Sequence, residues 1–140
     1  MTDPKTPAGR LVNAFGDCEA MASMYTDDVV WRLSYSLPER IAGPHTGKAA
    51  VTAFNTAVFH KIYEPGSTEI EILDDVGNES SSAVRFNIRA MSRRGHRYEV
   101  EYTLFAKTSG GLMHEVVELR DTLASTEQHA GREIGVPPRP

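Results

Sequence analysis

An α+β domain is the fold class that the sequence predicts, with short helices first and an antiparallel sheet after them. Three observations carry this expectation. In the first half, apolar residues recur at helical spacing, as at Val51, Phe54, Val58 and Ile62. In the second half they alternate with polar residues, as at Val84, Phe86, Ile88 and Ala90. The late connections, Gly77-Asn78, Arg94-Gly95 and Ser109-Gly110-Gly111, are short and contain glycine, as hairpins do. A chain of 140 residues suits one domain. Its 40% hydrophobic and 24% charged composition is that of an ordinary globular protein, not of a disordered chain or a disulfide scaffold.

In chain order, Thr6-Pro7 can start a helix, with threonine as N-cap and proline at the first helical position. Leu11, Val12 and Phe15 form its apolar stripe. Gly16 can end it, and Asp17 can cap a second short helix carrying Ala20, Met21 and Met24. Val29-Val30-Trp31 reads as a strand continuing through Leu33 and Tyr35. A loop marked by Pro38 and Gly43-Pro44 follows. Thr46 can cap the main helix, from about Gly47 to Tyr63. The four strands are expected at Glu69–Val76, Ser82–Ser92, Arg97–Lys107 and Leu112–Leu123. Residues 1–124 are read as the domain and 125–140 as a loosely ordered tail.

The net charge of −4 argues against a nucleic-acid binder. The longest stretch without Asp, Glu, Lys or Arg, Ala49 to His60, has 12 residues, short of the roughly 20 that span a bilayer. Met1 to Arg10 lacks the pattern of a secretory signal, and the single cysteine, Cys18, forms no internal disulfide, so a cytoplasmic location is expected. The five histidines lack metal-ligand spacing, and there is no glycine-rich phosphate loop. Neither a metal nor a cofactor is expected.

Period-two counting sorts the strand faces. Tyr98, Val100, Tyr102 and Leu104 share one side of their strand. On the last strand Met113, Val117, Leu119 and Asp121 share a side, opposite His114, Val116, Glu118 and Arg120. Asp121 thus stands in phase with apolar residues. It is either a pocket carboxylate, its pKa raised by desolvation and suited to acid/base work, or a strand-end residue capping a turn into Thr122. Arg85, Asn87 and Arg89 alternate in the same way. They are either the solvent face of a half-wet sheet or a polar cluster in a cavity, where an arginine would orient a carboxylate and an asparagine would hold an oxygen.

Met24 to Trp31 resembles the approach to the first strand of SnoaL-like proteins. Gly43 to Val51 resembles the start of their long helix, and Gly110 to Asp121 resembles their closing strand. The resemblance covers about Leu11 to Leu123. It implies the nuclear transport factor-like fold, a cone-shaped roll in which a strongly bent antiparallel or mixed sheet wraps the N-terminal helices and encloses one pocket. It also implies a homodimer through the outer sheet face. Against limonene epoxide hydrolases, Arg85 falls on their arginine, Asn87 on their first catalytic aspartate and Asp121 on their second, so one carboxylate is replaced by an amide. Against SnoaL-type polyketide cyclases, Asp121 resembles their single acid/base. Ketosteroid isomerases carry their base near the first strand, where Trp31 to Tyr35 holds no acid.

The resemblance therefore implies a cofactor-free acid/base enzyme of cyclase, isomerase, dehydratase or hydratase type, acting on a small apolar oxygenated molecule. Asp121 would be the acid/base, Arg85 its orienting cation and Asn87 the holder of a water or substrate oxygen. Trp31, Tyr35, Phe54, Phe59, Tyr63, Tyr98 and Tyr102 would line the pocket, and the loop from Ser36 to His45 would gate it. The alternatives are a binding or dimerisation module without chemistry and an epoxide hydrolase-like enzyme working with Asp121 alone.

Overall fold

A computed structural model describes residues 3–139. Met1, Thr2 and Pro140, the last of which belongs to the expected tail, lie outside the described residues. The first helix, α1, spans Pro7–Asn13. Thr6 caps it, its hydroxyl accepting from Gly9 N–H at 3.1 Å. Asp17 caps α2, Cys18–Ala22, by accepting from Ala20 N–H at 3.1 Å. Both caps satisfy donors that the first helical turn leaves free.

Strand β1, Tyr25–Leu33, ends two residues earlier than expected. A turn closed by Leu37 N–H on the Ser34 carbonyl at 3.2 Å stops it and turns Tyr35 outward. Tyr35 is 81% exposed, and the Arg32 guanidinium lies 4.3 Å from the centre of its ring. It therefore does not line the interior cavity. A short helix, α3, spans Glu39–Ala42, and β2 is His45–Thr46. Thr46 does not cap the main helix because its backbone pairs with Val30 of β1. The role passes to Gly47, at φ 94°, where glycine carries no Cβ penalty.

The main helix is split. Its α-helical part, α4, spans Lys48–Ala57, and Val58–Ile62 continues as a π-helical turn. The wider turn rotates the face, so Phe59 and Tyr63 are buried while Ile62, expected on the apolar stripe, is exposed.

Strands β3 (Glu69–Gly77), β4 (Ser81–Met91), β5 (Arg97–Ser109) and β6 (Leu112–Arg120) form the antiparallel meander. The sheet has six strands in the order β2-β1-β6-β5-β4-β3, with β1 parallel to β6 and every other pair antiparallel. Its inner face holds Trp31, Leu33, Val84, Phe86, Tyr98, Tyr102 and Leu104 against α1, α2 and α4. Register shifts in the β1–β6, β3–β4 and β5–β6 pairings add local twist.

The last strand stops at Arg120, short of the expected Leu123. Asp121 N-caps a fifth helix, α5, Thr122–His129, where a loose tail was expected. The helix is held down by Gln128, which is 2% exposed. Its side chain accepts from Glu99 N–H at 2.7 Å and donates to the carbonyls of Glu99 at 2.9 Å and Ile134 at 2.8 Å. Beyond it the chain follows the sheet, and Arg139 pairs with the Glu99 carboxylate. No helix among the described residues is long and apolar enough to cross a membrane.

Candidate functional site

The charged groups buried inside the cone come from β6, and they are not the ones the alternation selected. In the β5–β6 pairing Lys107 faces Glu115 while the next residue, Thr108, faces Met113. The extra residue on β6, His114, is a bulge that inverts the phase of everything after it. Val116, Glu118 and Arg120 therefore point inward, and Leu119 and Asp121 point out.

Glu118 and Arg120 form an ion pair at 2.8 Å, with side chains only 8% and 10% exposed. Arg120 also donates to Ser125 Oγ at 3.3 Å, and its guanidinium lies 4.8 Å from the centre of the Tyr102 ring. A hydroxyl chain continues from there. Tyr98 and Tyr102 share a hydrogen bond at 2.5 Å, and Tyr98 and Ser125 share one at 2.7 Å. On the opposite wall Tyr25 donates to Asn55 Oδ1 at 2.6 Å. Between these groups is a cavity of about 20 Å³, whose lining includes Trp31, Phe54, Phe59, Tyr63, Tyr102, Glu118 and Arg120. That is room for one water-sized group.

Burial pushes the Glu118 carboxyl above the usual carboxylate range, against the pull of the neighbouring Arg120 charge and hydrogen bond. Arg120 stays cationic. Burial alone would lower its pKa, but Tyr102 and Glu118 more than offset that. Burial also raises the Tyr63 and Tyr102 hydroxyls far above the ordinary tyrosine range, with Arg120 opposing, so both are protonated at neutral pH and able to donate. The site thus combines a carboxyl, a fixed cation and neutral hydroxyl donors in an apolar, aromatic enclosure.

Of the residues expected to line the pocket, Trp31, Phe54, Phe59, Tyr63 and Tyr102 do so. Tyr98 stands behind Tyr102 in the hydroxyl chain. The expected convergence of Asp121, Arg85 and Asn87 does not occur. Arg85 is on the outer face, bonded to Asp74 at 2.7 Å and Glu101 at 3.1 Å. Asn87 is buried on that same face and donates to Glu71 at 3.0 Å, beside the Arg89–Glu71 pair at 2.9 Å. Asp121 is exposed, and its carboxylate accepts from Ala124 N–H at 3.0 Å, the capping role left open by the sequence. Sequence reasoning missed Glu118, Arg120 and Asn55. The available signal was the charge pair Glu118-x-Arg120 on one face beside Val116, hidden by the uncounted bulge.

The family pattern of the SnoaL-like domain matches residues 10–116. The chain belongs to the SnoaL-like domain family. The match ends just before Glu118 and Arg120. Among curated proteins none matches the chain. Several solved structures share its shape. A candidate isomerase from Rhodopseudomonas palustris is 20% identical with TM-score 0.74, covering 87% of this chain and 91% of the other. An NTF2-like protein of unknown function from Burkholderia pseudomallei is 16% identical with TM-score 0.74, covering 87% and 93%. TerC, co-crystallised with polyporic acid, is 19% identical with TM-score 0.69, covering 86% and 92%. These likenesses establish the NTF2-like cone fold.

Proposed function

We propose that this SnoaL-like protein binds a small, largely apolar, oxygenated molecule inside the cone and performs acid/base chemistry on it with Glu118. The observation that carries this reading is the buried Glu118–Arg120 pair facing an aromatic cavity. A carboxyl whose pKa is raised by burial is a stronger base than a free one and can take a proton from carbon or oxygen and return it. Arg120 keeps the pair charge-compensated, and Tyr102 offers a neutral donor beside it. Asp121, the acid/base expected from the sequence, gives way to Glu118 because it lies outside the cavity and caps a helix. The crystallisation of TerC with polyporic acid supports a small-molecule role at this fold. A homodimer through the outer sheet face belongs to the same reading, supported by the exposed Phe105 and Leu119.

A second reading, ligand binding without chemistry, is favoured by the ion pairing of Glu118, which holds its carboxylate on Arg120 rather than free. Deuterium exchange at the α-carbon of 1-indanone in D₂O separates the two. Glu118 would remove the α-proton, the electron pair would move to the ketone oxygen, and a deuteron would return to carbon. Acid/base action predicts catalysed exchange that falls about 10²–10⁴-fold in Glu118→Gln. Exchange no faster than buffer, or equal in both proteins, would favour binding alone.

A further inference from the structure

Two of the groups lining the cavity are donors with nothing to donate to. Trp31 Nε1 and Arg120 Nε are buried, and neither has a hydrogen-bond partner among the described residues. Trp31 is 1% exposed and the Arg120 side chain 10%. A buried N–H without an acceptor is costly, and native proteins keep few of them. An indole and a guanidinium are donors only, so the missing partner must be an acceptor. Both side chains line the same cavity, whose volume of about 20 Å³ is that of one oxygen-sized group. Three further lining residues, Phe15, Phe54 and Val58, are only half-buried, so the cavity approaches the surface on their side.

We infer that Trp31 Nε1 and Arg120 Nε form a subsite for one oxygen of the bound molecule, a carbonyl or the enolate or phenolate made from it. This deepens the proposed function and rests on it. The ligand class is then a flat, mainly apolar ketone, enone or phenol. Its oxygen takes the one-oxygen space beside the indole and the guanidinium, and its body enters past Phe15, Phe54 and Val58, which must move apart to admit it. The cation in the pair makes the subsite favour negative charge developing on that oxygen, and Glu118, paired with the same arginine, is placed to exchange a proton with the carbon next to it.

The test uses the full chain labelled with ¹⁵N. Trp31 is its single tryptophan, so one indole N–H resonance reports on the subsite. The probes are 1-indanone and indane, which differ by the oxygen. The inference expects 1-indanone to bind about tenfold or more tightly than indane, the effect of one hydrogen bond to a charged donor. The indole proton should move downfield with 1-indanone and not with indane, and Trp31→Phe should remove most of the preference. Equal affinities with an unmoved indole resonance, the result if the donors serve only a buried water, would overturn the oxygen subsite while leaving the cavity reading intact. Binding of neither probe, with inner-face amides unchanged, would remove the cavity reading and the subsite with it. Should Trp31→Phe fail to fold, the indole resonance of the natural protein decides the matter alone.

Discussion

Replacing Glu118 by alanine tests whether the pair inside the cone is as buried as its geometry indicates. The substitution removes the 2.8 Å bond to Arg120 and leaves a cation whose side chain is 10% exposed. Breaking one partner of a buried pair costs roughly 3–5 kcal/mol. Arg120 keeps Ser125 and the Tyr102 ring as partners, which places the expected loss near the lower end, about 3 kcal/mol. For a domain of this size that is a fall in Tm of about 10 °C. Glu118→Gln should lose about half as much, because its amide oxygen still accepts from Arg120. The pH dependence has a definite sign. Because the folded-state pKa of Glu118 is raised, its protonation favours the folded natural protein. That contribution is complete below the unfolded value and lost as pH rises through the folded one, so the gap to Glu118→Ala widens toward pH 4.5. Urea denaturation followed by circular dichroism at pH 7 and pH 5 measures both effects. A neutral or stabilising Glu118→Ala would refute the buried pairing.

Three further outcomes follow from the same structure. Asp121→Ala should cost about 1 kcal/mol through the lost cap of α5 and leave α-proton exchange on 1-indanone unchanged. A loss of exchange at full stability would return Asp121 to the chemistry. Gln128→Ala removes three hydrogen bonds and orphans the buried Glu99 N–H, so a loss of about 3 kcal/mol in the same denaturation assay is expected. His129, stacked on Tyr98 at 4.7 Å, has its pKa lowered by burial and then by the Arg120 and Arg94 charges. Its contribution is full above the unfolded value near 6.5 and lost as pH falls toward the folded one. His129→Gln should flatten the stability slope below pH 6.5, and an identical slope in both proteins would contradict this.

The parts of the fold that local chemistry dictates were legible in the sequence. Thr6 and Asp17 announce helix starts because a side-chain oxygen must meet the free N–H groups of the first turn. The hairpins followed from glycines at positive φ, such as Gly95 at 84°. The inner faces of β4 and β5 followed from unbroken alternation. The site was illegible where alternation breaks. One extra residue, His114, turns Glu118 and Arg120 inward and Asp121 outward, and pairing across strands, not local preference, sets that bulge. The π-helical turn at Val58–Ile62 likewise exchanges Ile62 for Phe59 on the buried side. The helix α5 carries little apolar character, and it is fixed by Gln128 and Ser125 reaching partners far away in sequence.

The most direct measurement is a crystal structure of the full chain with 1-indanone bound. The account predicts the ketone inside the cone, its oxygen within hydrogen-bond distance of Trp31 Nε1 and Arg120 and its α-carbon beside Glu118. Density instead in the 460 Å³ outer groove bordered by Glu101, Asp121 and Val136, with the interior unchanged, would contradict it.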